Sequence, residues 1–544
     1  MSLNYNRTLT DVFAGSCKEY AESNAFTCMD RTLTYADLDR LSGRFAAYLQ
    51  QHTNLKPGDR IAVQLPNILQ YPVAVFGALR AGMVVVNTNP LYTAHEIKHQ
   101  LNDSGAKALV VLANIAKNAA AIIKDTSVEQ VIVTELADLH SPLKRVLLNF
   151  AVKHLKKMVP PFEFPNQIAF NKTLELATKP WQPVAQTPDD VAVLQYTGGT
   201  TGVAKGAMLT HRNLVANMAQ LNERMKNVFR PRQEFYVAPL PLYHIYSFTI
   251  HCTSAVSLGN HNLLIPNPRD IPGFVKTLKG KPFTFFVGLN TLFNALMRNK
   301  DFCELDFSHL RLTCSGGMAL TAETNRHWIE LTKAPLSEGY GLTETSPVVS
   351  NNPIENVQHG TVGLPLVDTN CKVIDDAGNS LPSGEAGELC VQGPQVMKGY
   401  WQRPEATAEV IDADGWFKTG DIAVIQPDGF IKIVDRKKDM INVSGFKVFP
   451  NEVEDALSGH PDIVEVAVVG VPDGDGSETV KAFIVTANEQ LTIEQVRKFA
   501  KESLTAYKVP HLIEFRKELP KTNVGKILRR ELRDQEVAKA KASQ

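Results

Sequence analysis

The sequence carries no surplus of charge: 57 lysines and arginines stand against 57 aspartates and glutamates in 544 residues. That balance argues against a general nucleic-acid binder and against a polyacidic protein. Cysteine is sparse, with seven residues at 17, 28, 252, 303, 314, 371 and 390, no C-x-x-C pair and no histidine at metal spacing. Thiols scattered in this way exclude a disulfide framework and a zinc site, and fit a reducing compartment. No run of 18 or more apolar residues occurs, so no membrane-spanning helix is expected. The first residues, MSLNYNRTLTDVF, lack a basic region followed by an apolar core, and no signal peptide is expected from them. Internal repeats and low-complexity segments are also missing. So are both common phosphate fingerprints in the glycine-rich stretch YTGGTTGVAKGAMLTHRN (196–213), which matches neither the Walker A nor the Rossmann spacing.

What is present is ordinary globular chemistry on a large scale. An apolar share of 44% and a charged share of 21% suit a folded domain, and 544 residues exceed what one hydrophobic core usually serves. A multidomain cytoplasmic enzyme is the starting expectation. Over the first 430 or so residues short apolar runs alternate with helical patterns. RIAVQLPN (60–67), MVVVNTNP (83–90), AKALVVL (106–112) and EQVIVTE (129–135) read as strands, and QYPVAVFGALRAG (70–82) as a helix. Strand and helix in alternation predict an α/β fold of parallel or mixed sheets with packed helices. Past residue 410 the texture changes. IAVIQ and FIKIV flank Pro427-Asp428-Gly429, a hairpin signal, and the charge cluster DRKKD (435–439) that follows suits a linker better than a core. NEVEDALSGH, VEVAVVGVPD, TVKAFIVT and a helix opened by Thr492 then predict a small α+β unit. The boundaries expected are a large domain over 1–434, a hinge linker over 435–440 and a small domain over 441–544.

The glycine-rich stretch follows the strand-like VAVLQY and precedes the helical THRNLVANMAQLNERM, with Thr210 as its N-cap, so it is read as a loop between a strand and a helix. Gly198, Gly199 and Gly202 let backbone N–H groups converge on an anion, Thr197, Thr200 and Thr201 add hydroxyls, and Lys205 adds a cation. A solvated surface turn is the plainer alternative, which the density of glycine, threonine and lysine disfavours.

This loop resembles the phosphate-binding loop of the acyl-adenylate-forming superfamily, and other motifs follow in the family's order. PLPLYHIYSF (239–248) is similar to its acyl-pocket segment, SGGMAL (315–320) and SEGYGLTETSP (337–347) to its adenine and magnesium segments. DGWFKTGDIAVIQPDGFIKIVDRKK (414–438) resembles the fatty-acyl-CoA synthetase signature, and PKTNVGKILRREL (520–532) the C-terminal lysine motif. The match spans about 196 to 532 and is strongest with bacterial long-chain fatty-acyl-CoA synthetases. The resemblance implies activation of a long-chain fatty acid by ATP and Mg²⁺ to an acyl-adenylate, then transfer to coenzyme A, in the service of fatty acid degradation. It implies that the glycine-rich loop holds the β- and γ-phosphates, that Glu344 and Thr197 hold magnesium, that Gly316, Gly317, Gly339 and Tyr340 form the adenine slot, and that Glu338, Gly341 and Thr343 also bind the nucleotide. Asp421 is then the ribose ligand, Arg436 a second ribose or phosphate contact, Lys526 the cation bridging carboxylate and α-phosphate, and Lys205 a supporting phosphate contact. Asp435 is the implied hinge about which the small domain turns between half-reactions. SGFKVFPNEVE (444–454) is the face meeting CoA, with Gly445 and Lys447 on it. His244 is read as orienting substrate, and Phe248 as an aromatic gate to the acyl tunnel.

Rival readings stay open from sequence: an acyl-AMP ligase, a medium-chain or aryl-acid synthetase, or a non-enzymatic fatty-acid binding or uptake component. The segment SPLKRVLLNFAVKHLKKMV (141–159) has five basic residues, no acidic ones, and Leu143, Val146, Leu147, Phe150, Leu155 and Met158 at helical spacing. It reads either as a peripheral contact with the cytoplasmic face of the inner membrane or as an ordinary surface helix. A homodimer is neither demanded nor excluded.

Overall fold

A computed structural model describes residues 3–197, 204–473, 477–522 and 525–542. Five of the implied phosphate-loop residues, Gly198, Gly199, Thr200, Thr201 and Gly202, lie outside the described residues.

The runs read as strands fall where the apolar spacing puts them. Arg60–Gln64, Val84–Asn87, Ala106–Leu112 and Gln130–Thr134 pair in parallel in a seven-stranded sheet. The helix between the first two, Gln70–Arg80, is buried on every side, which is why its sequence is apolar all round. It packs so closely on Tyr35–His52 that a Cβ at Gly77 would stand 2.8 Å from the Phe45 ring and the Ser42 carbonyl. One continuous core joins these helices to both large sheets.

The second large sheet has nine strands. Its central strands, Phe235–Ala238, Phe285–Gly288, Leu312–Ser315 and Leu336–Gly341, are parallel, and their C-terminal ends lie along one edge. Ligand clefts in open parallel sheets form at such edges. A four-stranded antiparallel sheet follows, including the hairpin Phe417–Ile425 and Ile431–Arg436 with Ile425 opposite Ile431, as the Pro-Asp-Gly turn predicts. Residues beyond 440 build a hairpin, Ile441–Val443 with Phe446–Val448, and a three-stranded sheet covered by Pro450–Ser458, Ile493–Ala500 and Arg529–Ala542, around cores of their own. Thr492 caps its helix in a reciprocal capping box with Gln495.

Two expectations are corrected. The glycine-rich loop does not run from strand to helix: Lys205–Thr210 forms an antiparallel strand on Val191–Thr197, with Thr197 opposite Lys205, and the helix His211–Met225 starts only after it. The alternation of Ala207 and Leu209, both buried, is too short a signal beside the polar loop to be read as a strand. The second correction concerns the charge cluster at 435–439, which is no solvated tether. Asp435 and Arg436 complete the strand Ile431–Arg436, and Asp435 is 1% exposed. Its carboxylate accepts from the Asn451 N–H at 2.7 Å and pairs with Arg529 at 3.0 Å, partners too distant in sequence for local polarity to reveal.

Candidate active site

A cleft of about 2960 Å³ opens where the C-terminal ends of the nine-stranded sheet meet the seven-stranded sheet, the four-stranded sheet and the last hundred residues. Strand ends deliver Gly316 and Gly317 after Leu312–Ser315, and Glu338, Gly339, Tyr340 and Gly341 on Leu336–Gly341; all six line the cleft. Gly317 has φ of +88°, where a side chain would strain the backbone, and a Cβ at Gly316 would press on the Tyr246 ring at 3.1 Å. Tyr340 is tied by its hydroxyl, which donates to Asp421 at 2.5 Å. Arg436 Nε lies 3.5 Å from the other Asp421 oxygen. Burial raises the Asp421 pKa while Arg436 opposes it, so a carboxylate expected to take ribose hydroxyls is already gripped from two sides. Glu338 accepts from the Leu320 N–H at 3.1 Å, and burial pushes its carboxyl up to about 8, leaving it protonated at neutral pH.

Thr343 and Glu344 sit on the short turn Thr343–Thr345 that leaves this strand. Glu344 accepts from the Tyr400 hydroxyl at 2.8 Å, and Lys205 Nζ stands 5.1 Å from the centre of the Tyr400 ring. One tyrosine thus spaces the loop lysine from the carboxylate by a cation–π contact on its face and a hydrogen bond at its tip. Thr197, Lys205, Thr343 and Glu344 all line the cleft. No group of three or more histidine, cysteine, aspartate or glutamate side chains could hold a metal among the described residues. A donor set of one carboxylate and hydroxyls suits a hard cation that takes most of its ligands from phosphate oxygens and water.

Lys526 comes from the other side. Thr522 N–H donates to the Lys526 carbonyl at 2.7 Å and Gly525 N–H to the Thr522 carbonyl at 2.9 Å, a tight turn that Gly525 completes at φ of +89°. The lysine stem passes over Gly317, its Cε 3.6 Å from where a Cβ there would stand. Burial first, then Arg436, pulls its ammonium from 10.5 down to about 8, with Asp421 opposing. His244 faces the same space; burial and the Lys526 charge bring its pKa to about 4. Its Nδ1 accepts the Tyr246 N–H at 3.3 Å, so the neutral ring carries its proton on Nε2 and presents a donor.

Phe248 and the two residues of the implied CoA face do not line this cleft. Phe248 is fully buried in the large core: it opens the π-helix Phe248–Ser254, of which Ile250 and Ser254 line the cleft and Phe248 does not. Gly445 and Lys447 lie outside the cleft. Gly445 is at the tip of the hairpin, with φ of +89° and open space where a Cβ would go, and Lys447 reaches Asp376 at 4.0 Å. Sequence reading missed the apolar arm of the cleft, lined by Leu221, Met225, Phe229, Ile250 and Phe285. Its signal was available in the apolar face of His211–Met225, but that face reads equally as core packing.

The family AMP-binding enzyme matches residues 13–401, and AMP-binding enzyme C-terminal domain matches residues 452–526. The chain is 53% identical over 531 residues to a long-chain-fatty-acid–CoA ligase of Escherichia coli O6:H1, covering 97% of this chain and 94% of that one. It is 47% identical over 540 residues to the ligase of the same name from Haemophilus influenzae, with 98% and 95% covered. Among solved structures, the anthranilate CoA ligase AuaEII in complex with anthranoyl-AMP superposes with a TM-score of 0.86 at 25% identity over 99% of each chain. ATP-bound MatB from Rhodopseudomonas palustris gives 0.80 at 28% identity over 97% of this chain and 99% of the other.

Proposed function

The chain belongs to the AMP-binding enzymes, and from that premise we propose that it is an ATP-consuming ligase of long-chain fatty acids and coenzyme A. In the first half-reaction a carboxylate oxygen attacks the α-phosphorus of ATP; the new O–P bond forms as the bond to the β-phosphate breaks and pyrophosphate leaves. In the second, the CoA thiol sulfur attacks the acyl carbonyl, AMP departs with the bonding electrons, and the thiol proton is released.

One observation carries this reading. Lys526, His244, Asp421 and Arg436 line the same cleft as the glycine segments and the apolar arm, near enough that Arg436 and Asp421 act on the Lys526 charge and Lys526 on that of His244. There a carboxylate meets the α-phosphate, two anions whose approach needs a fixed cation. Lys526 supplies the charge. Neutral His244, donating from Nε2, orients the carboxylate and is too weak a base to take a proton. Glu344 and Thr197 are the residues to hold Mg²⁺, which when bound screens the phosphate charge. Asp421 and Arg436 hold the ribose, and the apolar arm takes the chain. The residues before Asp435 act as the large domain and those after 440 as the small one, with Asp435 the hinge. ATP–pyrophosphate exchange with and without a long-chain acid tests the first half-reaction. Thioester formation with CoA across chain lengths tests acceptor and substrate together. Exchange without thioester would make it an acyl-AMP ligase, and no acid-dependent exchange would leave only a binder.

A second observation favours a peripheral contact with an anionic membrane, where such acids partition. Along Pro142–Phe150 and Ala151–Leu155 nothing is buried, and six of the ten large apolar side chains described as exposed lie between Leu143 (73%) and Met158 (54%). No helix among the described residues is long and apolar enough to cross a membrane. An apolar face flanked by Lys153, Lys156 and Lys157 with no acidic residue suits the boundary of an anionic bilayer. Phe150→Glu, and separately the three lysines changed to Gln, should abolish co-sedimentation with phosphatidylglycerol vesicles. Sedimentation unchanged in both would make the segment an ordinary surface helix.

A further inference from the structure

The turn bearing Lys526 needs a partner in the large domain if the ammonium is to reach the same point each cycle. Among the described residues its hydrogen bond to that domain comes from a single side chain. Thr291 Oγ1 donates to the Gly525 carbonyl at 3.2 Å, one residue before the lysine. The fit is close from both sides: a Cβ at Gly525 would stand 2.9 Å from that same oxygen. Thr291 is the second residue of the helix Asn290–Met297, and both Asn290 and Thr291 line the cleft.

The same short helix also fixes the glycine segment. Asn290 Oδ1 accepts from the Thr321 N–H at 3.1 Å and its hydroxyl at 3.3 Å. One turn on, Asn294 Oδ1 accepts from the Thr324 hydroxyl at 2.9 Å. Thr321 follows the Gly316–Gly317 pair by four residues, so adjacent side chains on one helix end set the nucleotide segment and the lysine turn in a common frame. A surface hydroxyl meeting an arbitrary carbonyl would have neither the glycine opposite it nor the neighbour tied to the nucleotide segment.

We propose that Thr291 is a positioning residue for Lys526: its hydroxyl clasps the Gly525 carbonyl across the domain boundary and registers the catalytic ammonium over the acyl-adenylate site. The clasp belongs to the adenylate-forming arrangement alone. Its activity arm rests on the ligase reading above.

The test uses the full-length enzyme and Thr291→Val, which keeps the shape and removes the donor. Acid-dependent ATP–pyrophosphate exchange should fall about 3- to 10-fold, the worth of one hydrogen bond, with the loss in kcat. Transfer of a supplied acyl-adenylate to CoA should stay within about twofold on the same scale. Thr291→Ser, which restores the hydroxyl, should restore exchange. Equal loss in both half-reactions, no loss in either, or failure of the serine to rescue would overturn the clasp. A second measurement needs no turnover: in substrate-free protein, trypsin should cut at Arg436–Lys438 several-fold faster in Thr291→Val than in wild type or Thr291→Ser. Equal cutting rates also overturn it. Wild-type protein that shows no acid-dependent exchange would tell against the ligase reading, and the proteolysis would still decide the clasp.

Discussion

A lysine serves at a phosphoryl centre only while it is charged, and the place of Lys526 narrows the range in which it is. Its ammonium is drawn down to about 8 by burial and by Arg436, so it is protonated below that pH and neutral above it. The profile of kcat/KM reports the free enzyme; for acyl-adenylate formation it should lose activity as pH rises through about 8. Lys526→Ala should lose exchange by about 10²- to 10³-fold, the scale of a lost transition-state donor. Lys526→Arg, charged throughout, should abolish the alkaline limb at a lower plateau; a limb unmoved in the arginine variant would assign it to another group. Glu338 offers a test from a pKa shifted the other way. Its folded pKa of about 8 lies above the ordinary 4.5, so the folded state holds an extra proton between those values. The stability this proton contributes is present below pH 4.5 and is lost as pH rises through 8. Melting temperatures of Glu338→Gln should therefore gain on wild type from pH 5 to pH 9; a constant difference would mean Glu338 is ionised throughout. At this scale sequence showed which residue types were present and not how they face. Glu344, Asp421 and Lys526 stand in the cleft. Phe248 does not, since which side a π-turn presents depends on five-residue spacing that no periodicity of 3.6 reveals.

Elements built on local apolar spacing were readable, and those built on distant partners were not. The strand Ala106–Leu112 and the capped helix Ile493–Ala500 are local facts, one a run of buried aliphatics and the other a Thr-x-x-Gln box. The junction after Ile431–Arg436 is not local. Arg529 inserts among Asp435 at 3.0 Å, Glu454 at 2.5 Å and Asp439 at 3.8 Å, and also bonds Asn451, so its guanidinium ties the start of the last helix to the strand Ile431–Arg436. Burial raises the pKa of both Asp435 and Glu454, and the charge of Arg529 is the main influence opposing it. Removing the arginine leaves buried carboxylates without their counter-ion, which costs about 3–5 kcal/mol. Arg529→Ala should lower the unfolding free energy of the C-terminal unit, read from its urea transition, by that amount while leaving the unfolding of the large unit unchanged. A loss below about 1 kcal/mol, the level of an exposed pair, would mean water reaches the cluster.

At the scale of the whole molecule, one cleft must do two reactions whose reagents enter in different company. The arrangement described has committed Lys526 to the cleft and left the Val443–Phe446 tip outside it. Gly445 stands in open space with φ of +89° and nothing within 4 Å of a Cβ, so its lack of a side chain has no steric purpose here beyond the turn itself. If the small domain turns about Asp435 to bring that tip against the acyl-adenylate, the missing side chain acquires one, as room for the thin arm of CoA. Gly445→Leu should then leave acid-dependent ATP–pyrophosphate exchange within about fivefold, the cost of a strained φ being about 1 kcal/mol. Transfer of a supplied acyl-adenylate to CoA should fall more than about tenfold, beyond what that strain explains. Gly445→Asn, which tolerates positive φ with a smaller side chain, should lie between the two. This is the mirror of the split expected for Thr291→Val, and together the two variants separate a rotating domain from a fixed one. In a fixed molecule the tip stays outside the cleft and Gly445→Leu slows neither step, or unfolds the hairpin and slows both alike. Opposite splits from two residues in one chain require two arrangements of the same domains.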